Sequence, residues 1–564
     1  MAGSLSAGSI RRFAAVALLV GASACDLAVS NPNQADRERA LASPDDVETL
    51  IASSFQQYFG VTHYWRSNAL AFNHMSSRHT ATWGNFGMND LGREPREPLP
   101  NQASYNYAYA IEDAWQDNYG GISAASDGIR ALDAGLEIGP GGERNGRARA
   151  FATFVQALSS CNVALWYDQG FVIDETVDIG GELTTVDYDA MMTYALGKFD
   201  DAIALANSNS FTLEDGWMNG NPLTNSEFAD LIVSYKARCR ANQPRNPSEA
   251  ANVAWSQVET DAANGSGSLV ILGEDASGST PWWDGIKSLG TENATWHRQH
   301  MDWAGMADQS GEYQDWLSIE TQSRTARQMV FVDQRYPDTN VDGDEGLYHR
   351  YNATIIFRPE RGTYRQSHYG DFRHDAYLRS CSFCYFGPIE EMIPVEMRLY
   401  EAEAAFRQGN IGKTVMIVNE TRVANGGLPA VVDGGTVPGG ASCTPRKRYD
   451  VTGACGDLQD ALIWEHFEEI WQISGGLEFW HGRRFGILPA NTANMLPIPA
   501  SDLEVLQLEL YTFGGPDGTA PGTSATFIPG DLNNALERAG LALTGLKRQR
   551  EQLNRTKASG LVVR

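Results

Sequence analysis

Residues 396–404 read Glu396-Met397-Arg398-Leu399-Tyr400-Glu401-Ala402-Glu403-Ala404, and the reading of this stretch decides the fold. Leu399, Ala402 and Phe406 recur at i, i+3 and i+7, which puts them on one apolar face of a helix. The pattern predicts a helix over 389–408. A second follows at 411–425, and the turn Ala424-Asn425-Gly426-Gly427-Leu428-Pro429 ends it. Two antiparallel helices joined by a short connection form one helical-repeat unit.

The same periodicity recurs toward the N-terminus. Ser43-Pro44-Asp45-Asp46 supplies a cap, a first-turn proline and two acids facing the positive end of the helix dipole. Val47, Leu50, Ile51, Phe55 and Tyr58 then mark one face. Further helices are expected from about 107 to Gly135, then at 144–167, 187–207 and 226–242, and after Pro247 with Val253, Trp255, Val258 and Ala262. From Gly265 to about Gly387 the helical period fades into Gly-, Ser-, Trp- and Tyr-rich sequence with short β-like runs at 329–332 and 354–357. Helical patterns return at 457–474 and, in the tail, at 531–553. The tetratricopeptide consensus is absent, so the pairs alone show only a helical repeat.

The N-terminus carries an export signal. Arg11-Arg12 precede a short apolar run from Phe13 to Gly21, and Ala22-Ser23-Ala24-Cys25 closes it. That apolar run is too short to span ~30 Å of hydrocarbon. Small residues before a cysteine make Cys25 the expected lipidation site, so 1–24 is read as signal peptide and 25–42 as a lipid-anchored extended linker. Among 564 residues, 44 Lys and Arg against 70 Asp and Glu leave a net charge of −26. Nucleic acid is excluded as a partner, since phosphate binding needs basic patches. Six cysteines remain besides Cys25, and in an exported chain they suit disulfides. Cys443 with Cys455, in a Gly/Pro-rich loop, is the best pair. Cys381 and Cys384 form a CxxC with no second CxxC to complete a zinc ribbon, so a local disulfide is expected. Cys161 and Cys239 fall within helical patterns and are read as buried thiols.

Taken together, several segments resemble the SusD/RagB family of outer-membrane nutrient-binding lipoproteins. They are Cys25-Asp26-Leu27 with Asn31-Pro32-Asn33 and the stretch from Ala40 to Val47; the 396–404 helix with Asn419 to Pro429; Glu468-Glu469-Ile470-Trp471 with Gly476 to Gly486; and Leu496-Pro497-Ile498-Pro499. The resemblance covers most of 25–505. It implies a mainly α fold, a right-handed stack of tetratricopeptide-like helix pairs with a loop-rich ligand-binding subdomain. The SusD-like domain would span 43–505, with the scaffold at 43–262 and 388–505 and the binding region at 265–387. Residues 506–564 would be a C-terminal extension, and the Cys443–Cys455 loop looks like an insertion. The implied function is nonenzymatic: a cell-surface lipoprotein, anchored in the outer membrane, binds a glycan or peptide and passes it to a TonB-dependent barrel transporter of SusC type. A surface hydrolase or a helical-repeat scaffold is the alternative.

A glycan site needs aromatic faces for sugar C–H groups and amides for hydroxyls. Loops outside the helical patterns offer Trp83, Trp282, Trp283 and Trp296 as stacking candidates, with Asn85 and Asn101 to fix orientation. Asp338-Thr339-Asn340-Val341-Asp342-Gly343-Asp344 matches the first half of a calcium loop, with Asp338, Asn340, Asp342 and Asp344 as ligands. Position twelve is His349, which cannot give the bidentate carboxylate of a calcium loop, and Glu345 would have to substitute; an acidic surface turn is the alternative to a calcium site, and no other cofactor is expected. No GxSxG or HExxH is present, and Gly412-Lys413-Thr414 lacks the upstream glycine of a phosphate loop.

Overall fold

The computed structural model describes residues 41–512, apart from Trp83, 179–180, 182, 274–281, 292–297, 354–357, 359–363 and 378–386. Cys25 and the signal segment, Trp83, Trp296, Cys381, Cys384 and the 531–553 pattern lie outside the described residues.

The scaffold is helical. Ser43 caps the helix Pro44–Ser53, its hydroxyl accepting from the Asp46 amide at 3.4 Å. A break at Ser54 separates it from Phe55–His63, so the first apolar stripe belongs to two helices rather than one. Tyr109–Asp133 packs on both. Gly128 makes that approach possible, because a Cβ there would lie 2.4 Å from Ile51 Cγ1. Asn145–Trp166 runs through the centre of the scaffold and is buried on nearly every side, against Tyr109–Asp133, Tyr188–Ser208 and Asn225–Asn242. A disulfide from Cys161 to Cys239 ties it to Asn225–Asn242. This corrects the reading of these two cysteines as free thiols: on separate helices their pairing is set by tertiary contact and leaves no spacing signal. Past Pro247 the expected helix is two pieces, Pro247–Ala250 and Trp255–Asn264.

The late pair forms as Pro394–Arg407 and Ile411–Ala424, with Leu399 and Ala402 fully buried. Residues 387–392 are not helical. They form a strand antiparallel to Leu269–Gly273, and the helix starts only at Pro394, where the missing N–H costs nothing. Three other two-residue or three-residue strand pairs join 79–80 to 298–299, 169–171 to 185–187, and 349–351 to 369–371. The run 329–332 is not among the strands.

Buried ion pairs weld the halves. Arg238 donates to both oxygens of Glu396 at 2.7 Å and to Glu391 Oε1 at 2.7 Å. Arg335 reaches Asp333 and Glu465 at 2.8 Å. Leu458–Glu469 packs on both late helices, and Trp464 and Trp471 are fully buried. One apolar cluster runs through the N-terminal helices to Trp282, Trp283 and Ile498. A second gathers Trp303, Trp316, Tyr336 and Tyr369 against Ala402, Ile417 and Trp464. The loop-rich part is therefore packed onto the late helices. Among the described residues no helix is long and apolar enough to cross a membrane.

Candidate functional site

The stretch 63–109 is more structured than a loop. It contains the helices Asn68–Met75 and Met88–Gly92, and between the second of these and Tyr105 it walls a cavity of about 260 Å³. Met75, Leu91, Leu99, Pro98 and Pro100 line it with apolar surface. Asp90, Arg93, Arg96, Glu97 and Tyr105 add polar groups, and residues 491–493 close the far side.

Arg96 builds the wall. Its Nη1 donates to the Arg93 carbonyl at 2.7 Å, its Nη2 to the Met75 carbonyl at 3.0 Å and Ser77 Oγ at 2.8 Å, and its Nε to Thr492 Oγ1 at 3.0 Å. One guanidinium thus joins a helix end, the 93–97 segment and the 492 turn. Burial pushes it down to about 10, which still leaves it charged at neutral pH. Tyr105 Oη donates to Asp90 Oδ2 at 3.3 Å, and Arg93 pairs with Glu97. Desolvation and the Asp90 charge raise the Tyr105 phenol, so it stays a neutral donor. The wall combines fixed hydroxyl, carboxylate and guanidinium groups with apolar faces, an arrangement that suits a hydroxyl-rich small ligand.

Behind this wall lies Glu94, 3.4 Å from His300 Nε2, and His300 Nδ1 is 3.3 Å from Asp302. Burial alone would raise Glu94, but His300, Arg96 and Arg365 outweigh it and hold the carboxyl at about 2. A carboxylate that acidic is a poor general acid or base at neutral pH.

The residues singled out in the sequence fall in other places. Trp282 and Trp283 are 4% and 6% exposed and belong to the core, not to an open loop. Trp282 meets Phe59 at 5.2 Å, and Trp283 meets Trp65 edge-on at 4.5 Å. The first helices offer an aromatic face there, and loop sequence gave no sign of it. Asn101 is buried and acts as a latch: its Nδ2 donates to the carbonyls of Ile498 and Tyr511 at 2.9 Å, and its Oδ1 accepts from the Ala500 amide at 2.9 Å. Asn85 is exposed, in the turn before Met88. No motif marks the cavity groups Asp90, Arg93, Arg96 and Glu97, and the mixed charges alternating with Pro95 and Pro98 are their visible signal in the sequence.

Cys443 and Cys455 are joined in a disulfide. The calcium-like stretch 338–344 carries hydrogen bonds of its own. Asn340 Oδ1 accepts from Tyr369 Oη at 2.8 Å, Asp342 Oδ1 accepts from the Ala353 amide at 2.7 Å, Asp344 pairs with Thr339, and Asp338 is exposed. His349, at position twelve, is instead buried against Glu468 at 2.7 Å. Lys413 pairs with Glu259 and Glu401, so Gly412-Lys413-Thr414 serves helix packing.

A SusD superfamily protein from Parabacteroides distasonis superposes with a TM-score of 0.50 at 12% identity, over 82% of this chain and 97% of that one. The chain has a SusD-like fold. SusD superfamily and SusD-like structures from Bacteroides vulgatus and Bacteroides fragilis are also similar, with TM-scores of 0.49 and 0.48 at 12% identity. They cover 82% and 80% of this chain and 97% and 87% of theirs. The Bacteroides fragilis protein is described as carbohydrate-binding. No family model and no curated protein matches the sequence. The SusD-like fold accounts for the helical stack with an irregular part packed beside it, as the family resemblance of the several segments implies.

Proposed function

We propose that this chain is a nonenzymatic binding lipoprotein of the cell surface, which captures an oligosaccharide and delivers it to a TonB-dependent barrel transporter. The SusD-like fold carries the reading. Three features support it. The N-terminal Ala22-Ser23-Ala24-Cys25 suits lipidation after export. Two disulfides, Cys161–Cys239 and Cys443–Cys455, suit an oxidising compartment. The cavity walled by Asp90, Arg93, Arg96 and Tyr105 is preformed by internal hydrogen bonds, which lowers the ordering cost of binding.

The test is incubation of the mature protein with panels of neutral oligosaccharides and of peptides, followed by mass spectrometry of bound and free fractions. Retention of an intact oligosaccharide is the expected result. Cleaved products would point to a hydrolase, and retention of peptides alone would move the ligand class away from glycans.

A further inference from the structure

The loop closed by Cys443 and Cys455 presents Tyr449 at the surface. Among the described residues, Tyr449 is the one aromatic side chain that is exposed, at 47%. Every other described ring is buried or half-buried. Tyr449 also has φ of +60°, a left-handed conformation that residues with a Cβ rarely adopt. Such a conformation persists where the surroundings over-determine it, and here they do. Arg446 pairs with Cys455 in an antiparallel bridge and its guanidinium donates to the carbonyls of Asp308 and Gly453 at 2.8 and 2.7 Å. Asp450 holds the next turn by accepting from Thr452 and Ala454 amides. The Tyr449 amide donates to Tyr313 Oη at 3.3 Å.

The loop is fixed to the cavity wall through a continuous chain of contacts. Arg448 lies under the Tyr449 ring at 4.6 Å and over Trp303 at 4.5 Å. It donates to the Ile487 carbonyl at 2.5 Å and to Asp302 at 3.3 Å. Asp302 meets His300, and His300 meets Glu94, the neighbour of the Arg93–Arg96 wall.

We propose that Tyr449 is a second ligand platform beside the cavity, whose exposed ring takes the apolar C–H face of a pyranose unit of the same oligosaccharide. The electron-rich ring face and the polarised C–H groups of a sugar are complementary. A rigid loop presents the ring without ordering cost on binding. Burial of the hydroxyl raises its pKa, so the ring stays neutral and offers its face alone. The assignment rests on the glycan reading above and adds a residue to that site.

Calorimetry on the mature protein tests it, with maltohexaose, cellohexaose, xylohexaose and mannohexaose as probes and Tyr449→Ala, Tyr449→Phe and Asp90→Ala as variants. Tyr449→Ala should weaken the best probe about tenfold, and Tyr449→Phe should stay within about twofold of wild type, with melting temperatures unchanged. If Tyr449→Ala binds as wild type while Asp90→Ala is weakened, the glycan reading stands and the platform is overturned. If no probe binds the wild type, both are overturned.

Discussion

The imidazole of His63 and the carboxylate of Glu391 meet at 2.7 Å inside the core, 328 residues apart in sequence. The other ring nitrogen of His63 is 2.7 Å from Asp284. One side chain on the second helix therefore ties the N-terminal scaffold to the segment at 284 and to the strand before the late pair.

This bridge predicts a pH dependence of stability. Burial works against protonating His63, but the two carboxylates prevail and raise its pKa above the usual 6.5. Its contribution is fully present below pH 6.5 and is lost as pH rises through the folded value. Burial would raise Glu391, yet Arg238 and His63 bring it from 4.5 to about 2, so its contribution is present above pH 4.5 and is lost as pH falls toward 2. The network stabilises most between these limits. Replacing His63 by Gln leaves two buried carboxylates short of a partner and should cost about 3–5 kcal/mol near pH 6, with a smaller deficit at pH 9. Scanning calorimetry across pH 5–9 checks this, and a deficit that does not vary with pH would contradict it.

The Cys161–Cys239 disulfide closes a separation of 78 residues and Cys443–Cys455 one of 12. Loop-closure entropy assigns about 4 kcal/mol to the first and about 3 kcal/mol to the second. Cys161→Ala with Cys239→Ala should lower the urea midpoint more than Cys443→Ala with Cys455→Ala. Equal midpoints for the two double variants would show that the long link does not restrain the unfolded chain.

Asn101 is expected to act on stability. Asn101→Ala removes two donated bonds and strands the Ala500 amide in a buried setting, at a cost of about 1–3 kcal/mol. A lowered melting temperature with unaltered oligosaccharide affinity fits the latch. Weakened binding at an unchanged melting temperature would return Asn101 to the ligand.

These residues also mark what the sequence discloses. The helix Asn145–Trp166 matches the 144–167 pattern almost to the residue, because periodic apolar positions record helical packing directly. The strand 387–392 was hidden, since six residues continuous with a helical pattern take their state from a partner more than a hundred positions away. Trp282 and Trp283 stand outside any periodicity, yet burial of an aromatic ring is decided by what packs against it, here Phe59 and Trp65. Asp90, Arg93 and Arg96 line one cavity only because Thr492 and Asn491 close on them, a contact across some four hundred residues.

The most direct test of the central claim is a crystal structure of the mature protein soaked with the tightest-binding neutral oligosaccharide. The account predicts a sugar ring in the cavity beside Tyr105, with hydroxyls on Asp90 and Arg93. Full-occupancy sugar elsewhere on the molecule, with the cavity holding only water, would contradict it.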